Sequence, residues 1–225
     1  EITRFEFDIN ADVFPIGLHD GGNCEIVTEA FLEREQVNNP RLVVEITDAV
    51  PIDVFDADFI EAMRTVLRNP ALDAAFKELV LTLPSQTYIA EQLTVVNPQQ
   101  VHAVREAMRL QLARALRDDW QWAWETHKDS GAYRPDPVSS GRRALSGMAL
   151  SMLCLDAVHG GEAQDVWPGR AYQRFKTASN MTDRINALGA LVASGHPLAQ
   201  EALARFHAMF KDEALVLDKW FALQA

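Results

Sequence analysis

The histidines are the first residues to consider for catalysis, and the chain has six, at positions 19, 102, 127, 159, 196 and 207. A zinc hydrolase that binds its metal on one helix carries His-Glu-x-x-His, which places two imidazoles one turn apart beside a general base. None of the six stands in that pattern. The nearest arrangement is Asp156, His159 and Glu162, whose spacing could bring them onto one helix face. Because Gly160-Gly161 is predicted to end the helix between them, we interpret this group as a polar helix terminus.

Nucleophilic and phosphate-binding patterns are missing as well. A nucleophile elbow needs Gly-x-Ser-x-Gly, which neither Ser139-Ser140-Gly141 nor Ser146-Gly147 provides. The pair Gly21-Gly22 lacks the lysine and the following helix of a phosphate loop. Asn180-Met181-Thr182 matches a glycosylation acceptor, but we interpret it as the start of a helix. The sequence therefore predicts no catalytic, cofactor-binding or metal-ligating residue in this chain.

Tryptophans and cysteines are the remaining candidates for chemistry. Trp120, Trp122 and Trp124 alternate along a predicted helix and therefore point to different faces, so no aromatic platform is expected. Core packing for one or two of them, with a domain contact, is the expected role. Cys24 and Cys154 are far apart in the sequence, which excludes a disulfide scaffold and a cysteine-rich zinc site. We expect two buried thiols in a reducing cytosol.

The charge balance limits the partners. Lys and Arg number 21 against 32 Asp and Glu, which gives a net charge of −11 over 225 residues. This excess disfavours nucleic acid and anionic membranes. No run approaches the ~18 consecutive apolar residues of a membrane span, and no basic segment followed by an apolar core opens the chain. We expect a cytoplasmic globular protein.

The first part of the chain has a strand-like pattern. Phe5, Phe7 and Ile9 alternate with acidic residues, and residues 42–46 form a second apolar run rich in valine. These signals predict a β segment over residues 1–48, which could form part of a small β-sandwich.

Residues 50–225 have helical periodicity throughout, and about nine helices with short connections are expected. The clearest start is Asn97-Pro98, and the helix after it is predicted to reach about Thr126. The predicted fold class is mainly α, an irregular α-solenoid-like array of helix hairpins preceded by a short β segment. The last helix carries Leu215, Trp220 and Phe221 without an evident partner, so we expect a helical domain that is truncated.

Three segments together carry a family resemblance: LTLPS at 81–85 with Ala90-Glu91 and the Asn97-Pro98 helix, ASNMTD at 178–183 with Ala187-Leu188, and ALVLDKWFALQA at 214–225. Their order and spacing resemble the C-terminal helical domain of bacterial aminopeptidase N, a zinc-dependent alanyl aminopeptidase of the gluzincin class. The likeness covers about residues 50–225, and the last segment is its most specific part.

The resemblance implies a role by association. In this family a thermolysin-like domain carries His-Glu-x-x-His with a distant Glu and the motif Gly-Ala-Met-Glu-Asn, and neither motif occurs in this sequence. There the zinc polarises the scissile carbonyl and activates water. The helical domain closes over that site and admits short or unfolded peptides. The resemblance thus implies zinc for the full-length enzyme and none for this chain, which is predicted to be inactive alone.

A free-standing helical scaffold that binds a protein partner along a concave face is the alternative. The two hypotheses differ in the behaviour of the chain in solution. A truncated domain would expose apolar surface at Trp220 and Phe221 and self-associate. A scaffold would be a monomer that unfolds in one cooperative transition. Under the first hypothesis the partner is a peptide substrate bound by the full-length enzyme.

Overall fold

The structure, a computed structural model, describes residues 3–8, 41–46, 57–93, 95–128, 132–160 and 166–224. For the first two ranges it describes the backbone alone. Strands β1 (Thr3–Asp8) and β2 (Arg41–Ile46) pair antiparallel, with Thr3 opposite Ile46 and Asp8 opposite Arg41. Both lie within the predicted β segment. Most of that segment, including Ile9, lies outside the described residues, so the β-sandwich stays a prediction.

Helices make up most of the described chain. In sequence order they are α1 (Ala57–Arg68), α2 (Ala74–Leu81), α3 (Gln86–Glu91), α4 (Pro98–Ala115), α5 (Arg117–His127), α6 (Pro137–Gly160), α7 (Val166–Thr177), α8 (Met181–Ser194), α9 (Leu198–Phe210) and α10 (Ala214–Ala222). This confirms the mainly α fold class, with ten helices in the described residues. None of them combines the length and apolar character that crossing a bilayer requires.

The single long helix expected from Asn97 to Thr126 is wrong, because the chain forms two helices there. The break is at Leu116, whose backbone adopts φ −110° and ψ 23°. Helical hydrogen bonding resumes at once, since the Trp120 N–H donates to the Leu116 carbonyl at 2.8 Å. Leu112, Leu116 and Trp120 are all fully buried and four residues apart, so the apolar pattern continues through the break and conceals it.

Two compact units divide the chain. The first comprises Glu1–Leu72 and Leu79–Ala115, and the second comprises Asp73–Glu78 and Leu116–Ala225. The sequence divides the chain instead by predicted secondary structure, into residues 1–48 and 50–225. This division remains a prediction because most of residues 1–56 lie outside the described ranges.

In the first unit, two amphipathic helices supply most of the buried side chains. Helix α1 buries Phe59, Met63 and Leu67, which follow one another at one-turn spacing. Helix α4 buries a similar stripe at Val101, Val104, Met108 and Leu112. The Arg64 guanidinium donates to the Ala115 carbonyl at 3.2 Å and so ties α1 to the end of α4.

In the second unit, helices that follow one another in the chain pack together, and α6 with α8 and α7 with α9 also pack although they are two apart. Helix α6 packs against α5, α7 and α8, and α7 packs against α8 and α9. Contacts between helices two apart are the pattern of stacked helical pairs, in which a continuous core forms between layers. The largest fully buried side chains of this core are Trp120, Leu145, Leu153, Phe175, Leu188, Leu191 and Phe206.

The connections of this array follow local signals in the sequence. Gly195 ends α8 in the left-handed conformation at φ 70°, which a residue with a side chain adopts only with strain. Helix α6 begins at Pro137. Its start is fixed by Asp136, whose carboxylate accepts a hydrogen bond from the Ser139 N–H at 2.9 Å.

Candidate functional site

The histidines do not converge on one site. His102 Nδ1 lies 3.0 Å from Gln86 Nε2, and His127 Nδ1 lies 2.9 Å from the Ala123 carbonyl oxygen. The others lie at separate places: His159 in the last turn of α6, His196 before α9 and His207 on α9, while His19 is outside the described residues. Among the described residues there is no group of three or more His, Cys, Asp or Glu side chains that could hold a metal ion.

Asp156, the acidic residue of the weak Asp156, His159, Glu162 pattern, has a structural role. Its buried carboxylate receives two hydrogen bonds from Arg117, at 2.5 Å from Nε and 3.1 Å from Nη2. This bidentate pair joins α5 to α6 and occupies both carboxylate oxygens. Helix α6 ends at Gly160, and Glu162 lies outside the described residues.

The nucleophile candidates are also engaged in structure. Cys154 is fully buried with a free thiol, and burial raises the pKa of that thiol to about 12, which leaves it protonated and unreactive at neutral pH. The buried-thiol prediction is confirmed for Cys154, whereas Cys24 lies outside the described residues. Ser139 is buried in the first turn of α6, and the Ser140 hydroxyl accepts a hydrogen bond from Arg143 at 3.1 Å.

The tryptophans separate as their spacing predicted, but one of them joins a surface that the spacing could not reveal. Trp120 is fully buried. Trp124 meets Trp167 of α7 edge to face, with ring centroids 5.2 Å apart. Lys128 Nζ lies 3.9 Å from the Trp124 ring centroid, and the Arg170 guanidinium lies 4.4 Å from that of Trp167. We call these four residues the aromatic–cation cluster: Trp124, Lys128, Trp167 and Arg170.

This cluster is a surface that could contact a ligand. Lys128 and Arg170 are exposed, so their charged ends, which lie against the indole rings, can also meet an anionic group from solvent. The sequence did not reveal this cluster, because helical periodicity predicts which residues share a face of one helix but not which faces of two helices meet.

A second polar group, also missed in the sequence, joins α7 to α9. The Tyr172 hydroxyl donates to the Glu201 carboxylate, and Arg205 Nη1 donates to the Tyr172 oxygen at 2.9 Å. Arg205 also lies 3.6 Å from the same carboxylate. With donors and acceptors matched, this group holds the two helices together.

The ASNMTD segment forms the corner between α7 and α8. Asn180 Oδ1 accepts a hydrogen bond from the Asp183 N–H at 2.9 Å, which confirms the predicted helix start. Arg174 donates to the Asp183 carboxylate at 2.8 Å. Arg184 donates to the Phe175 carbonyl at 3.0 Å, one of the last carbonyls of α7. The segment is therefore a packed connection and brings no reactive group to the surface.

The LTLPS segment has an equivalent role in the first unit. Its Ser85 hydroxyl accepts a hydrogen bond from the Tyr88 N–H at 3.1 Å and starts α3. Arg105 Nε donates to the Pro84 carbonyl at 2.7 Å and ties this turn to α4. The predicted start of α4 is confirmed as well, since Asn97 Oδ1 accepts from the Gln100 N–H at 3.3 Å.

Residues 214–222 of the terminal ALVLDKWFALQA segment form α10, in which Trp220 contacts α9. Trp220 Nε1 donates to the Leu203 carbonyl of α9 at 3.0 Å, and its ring contacts His207 with centroids 5.0 Å apart. Leu215 is 81% exposed and Phe221 is 62% exposed. The segment therefore combines an anchored tryptophan with an apolar outer face.

The stacked helices define the class of the fold, an α-solenoid built from armadillo-type (ARM) helical repeats. The chain belongs to the family DUF3458_C, described as a domain of unknown function with ARM repeats, which matches residues 36–225. That description agrees with the predicted array of helix hairpins.

Two curated relatives show the wider family. The chain is 32% identical to aminopeptidase N of Caulobacter vibrioides over 183 residues, which are 81% of this chain and 20% of that protein. It is 32% identical to aminopeptidase N of Escherichia coli over 177 residues, 79% of this chain and 19% of that protein.

The structural comparison shows the same fold. The crystal structure of Legionella pneumophila aminopeptidase A in complex with aspartic acid matches with a TM-score of 0.62 at 20% identity, over 76% of this chain and 20% of that chain. The family model and the two relatives confirm the resemblance to the C-terminal helical region of an aminopeptidase N-like protein. The chain spans about a fifth of the length of the relatives it matches.

Proposed function

We propose that this chain is the non-catalytic helical part of a cytoplasmic zinc aminopeptidase, where it covers the catalytic site and admits short or unfolded peptides. The observation that carries the proposal is the extent of the likeness to aminopeptidase N. It spans about four-fifths of this chain but only a fifth of each relative. The chain thus corresponds to one portion of a larger enzyme, and the removal of single N-terminal residues is assigned to that enzyme.

Zinc does not fit the described residues of this chain. The two most promising donors are already engaged, Asp156 by Arg117 and His127 Nδ1 by the Ala123 carbonyl. No third donor joins either of them in a metal-binding group within the described ranges. We therefore assign the zinc of the proposed enzyme to residues other than the described ones, and we assign no catalytic step to a described side chain.

The described residues of the second unit instead support a structural role, as a rigid array of helices. The Arg117–Asp156 pair, the Tyr172–Glu201 bond and the Arg184 contacts each join two helices of the second unit. An array with such cross-links keeps its shape beside a catalytic domain. The aromatic–cation cluster is its most suitable surface for an anionic group, such as the C-terminal carboxylate of a peptide.

The test compares hydrolysis of an alanyl p-nitroanilide by the purified chain with added zinc and by the full product of the gene that encodes it. We expect no hydrolysis and no bound zinc in the chain alone, and hydrolysis with one bound zinc per molecule in the full product. Metal content is measured by mass spectrometry. Hydrolysis with stoichiometric zinc in the 225-residue chain would contradict the proposal.

A matched pair of variants in the full product tests the proposed contact with substrate. Arg170→Gln removes a cation of the aromatic–cation cluster, whereas Arg109→Gln removes one on α4 that pairs with Glu106 at 2.7 Å. We expect R170Q to raise KM for tri- and tetrapeptides and R109Q to leave it unchanged.

If both the chain alone and the full product fail to hydrolyse the alanyl p-nitroanilide, the scaffold hypothesis gains support. Capture of a protein partner then becomes the next experiment.

A further inference from the structure

Met209, in the last turn of α9, is the methionine of this chain that is most open to solvent. All six methionines lie within the described residues, and 48% of Met209 is exposed. The other five are buried or half-buried: Met63, Met108, Met148, Met152 and Met181. Because a thioether must meet the oxidant to be oxidised, Met209 should be the first methionine to react with a peroxide.

The sulfur of Met209 contacts one cationic side chain. Arg184, in the first turn of α8, places its Nη1 3.8 Å from Met209 Sδ, which is a weak hydrogen-bond acceptor. The same guanidinium donates to the Phe175 carbonyl at 3.0 Å and to the Ala178 carbonyl just after α7. Arg184 therefore joins the end of α7, the start of α8 and the end of α9.

The acceptors that surround Arg184 are all uncharged. Two are backbone carbonyls and the third is a thioether, while the adjacent Asp183 carboxylate pairs with Arg174 at 2.8 Å. Within the described part of the chain, no carboxylate forms an ion pair with Arg184. Its Nη1 has two hydrogens, enough for the Phe175 carbonyl and a second acceptor. A stronger acceptor at Met209 could therefore be bound without loss of the contacts to α7.

We propose that Met209 is a peroxide-reactive modification site whose sulfoxide accepts a hydrogen bond from Arg184, so that oxidation strengthens the junction of α7, α8 and α9. With hydrogen peroxide, the Sδ lone pair attacks one oxygen, an S–O bond forms and the O–O bond breaks. The proton of the transferred oxygen passes to the departing hydroxide, which leaves as water. The sulfur loses two electrons, and the peroxide is reduced by them.

The sulfoxide differs from the thioether in its hydrogen bonding. Its oxygen is a strong acceptor that extends beyond the sulfur, so it can shorten the 3.8 Å separation to the roughly 2.7–2.9 Å of a charge-assisted hydrogen bond. Because Met209 lies at the surface, the new polar group is not buried. Oxidation of Met108 or Met152 would instead place a polar oxygen in the core and destabilise the chain. The modification does not depend on the proposed enzymatic role.

The first test is limited oxidation of the complete chain with hydrogen peroxide, followed by mass spectrometry of its peptides. We expect Met209 to gain one oxygen atom before any other methionine does, and Met209→Leu to lack this first step. The matched control is Met181→Leu, which changes a half-buried methionine on α8 and should retain the first step. Oxidation of another methionine before Met209 would overturn the proposal.

NMR of the arginine side chains then detects the hydrogen bond in the wild type, without any substitution. The guanidinium signals, assigned by through-bond correlation to the backbone, are compared between the reduced chain and the chain oxidised at Met209 alone. We expect the Arg184 signals to shift and their exchange with water to slow. Those of Arg205, which donates to the Tyr172 oxygen at 2.9 Å, should stay the same. Unchanged Arg184 signals would contradict the proposed bond.

Urea denaturation measures the consequence for stability, with each protein compared with its own form oxidised at Met209. We expect oxidation to raise the urea midpoint of the wild type and to lower that of Arg184→Gln, in which the sulfoxide has no cationic donor. Arg205→Gln removes another arginine of α9 and should respond to oxidation as the wild type does. A wild-type midpoint that is unchanged or lower, or an equal shift in R184Q, would overturn the proposal.

Discussion

The buried carboxylate of Asp156 depends on the charge of one partner, Arg117. Only 6% of its side chain is exposed, whereas the side chain of its partner Arg117 is 52% exposed. The guanidinium thus reaches in from the surface and satisfies both oxygens of an acid that would otherwise be buried without a counterion. Removing Arg117 should lower the free energy of unfolding by more than the contact itself contributes, because the buried carboxylate is left without a partner.

Arg117→Met should therefore destabilise the chain by about 1–3 kcal/mol, a value below that of a fully buried pair because Arg117 is half exposed. Urea denaturation followed by circular dichroism measures the change. The control is Arg109→Met, which removes a partly buried pair within α4 but leaves the Glu106 side chain 34% exposed and 3.5 Å from Arg105, so it should cost no more than about 0.5 kcal/mol. Equal losses in the two variants would show that Asp156 does not require its partner.

At the scale of helices, the short capping signals were the reliable part of the sequence. Ser85, Asn97 and Gly195 each mark a helix end with a residue type that favours that position. The start of α6 has the same kind of signal, since Asp136-Pro137 repeats the capping residue followed by proline that identified α4. The break at Leu116 had no such signal, because no side chain caps it and the apolar spacing continues.

Asn180→Ala should cost about 1 kcal/mol of stability, because it leaves the Asp183 N–H without its acceptor at the start of α8. The loss is measured by urea denaturation. Asn180→Ser is the matched control, since a serine hydroxyl caps a helix about as well and, unlike a carboxylate, does not repel the Asp183 side chain that Asn180 Nδ2 contacts at 2.8 Å. This variant should retain nearly all the stability. If N180A were as stable as the wild type, the corner would be held by Arg174 and Arg184 alone.

At the scale of the whole molecule, the sequence was sufficient for the fold class and insufficient for the surfaces. Buried stripes such as Phe59, Met63 and Leu67 follow from helical periodicity. The contact of Trp124 with Trp167 and that of Tyr172 with Glu201 depend on which helices become neighbours, and one sequence does not encode that in any local pattern. The aromatic–cation cluster could therefore be seen only in the folded chain.

Self-association remains a prediction, and the exposed face of α10 is where we expect it. Leu215→Glu combined with Phe221→Ser replaces apolar side chains that are 81% and 62% exposed. Because their burial between two chains would favour association, the double variant should lower the apparent mass at high concentration in sedimentation velocity. Val138→Ser changes another apolar residue, 72% exposed on α6, and should have no effect. A wild-type chain that stays monomeric at every concentration would contradict the prediction.

The perpendicular indoles of Trp124 and Trp167 also give the molecule a built-in optical signal. Near-ultraviolet circular dichroism arises when aromatic rings are fixed in an asymmetric environment, and it disappears when tertiary packing is lost even if helices persist. One ring belongs to α5 and the other to α7, and their centroids are 5.2 Å apart. Their shared band will therefore report, without any label, whether these two helices remain packed in a given solvent.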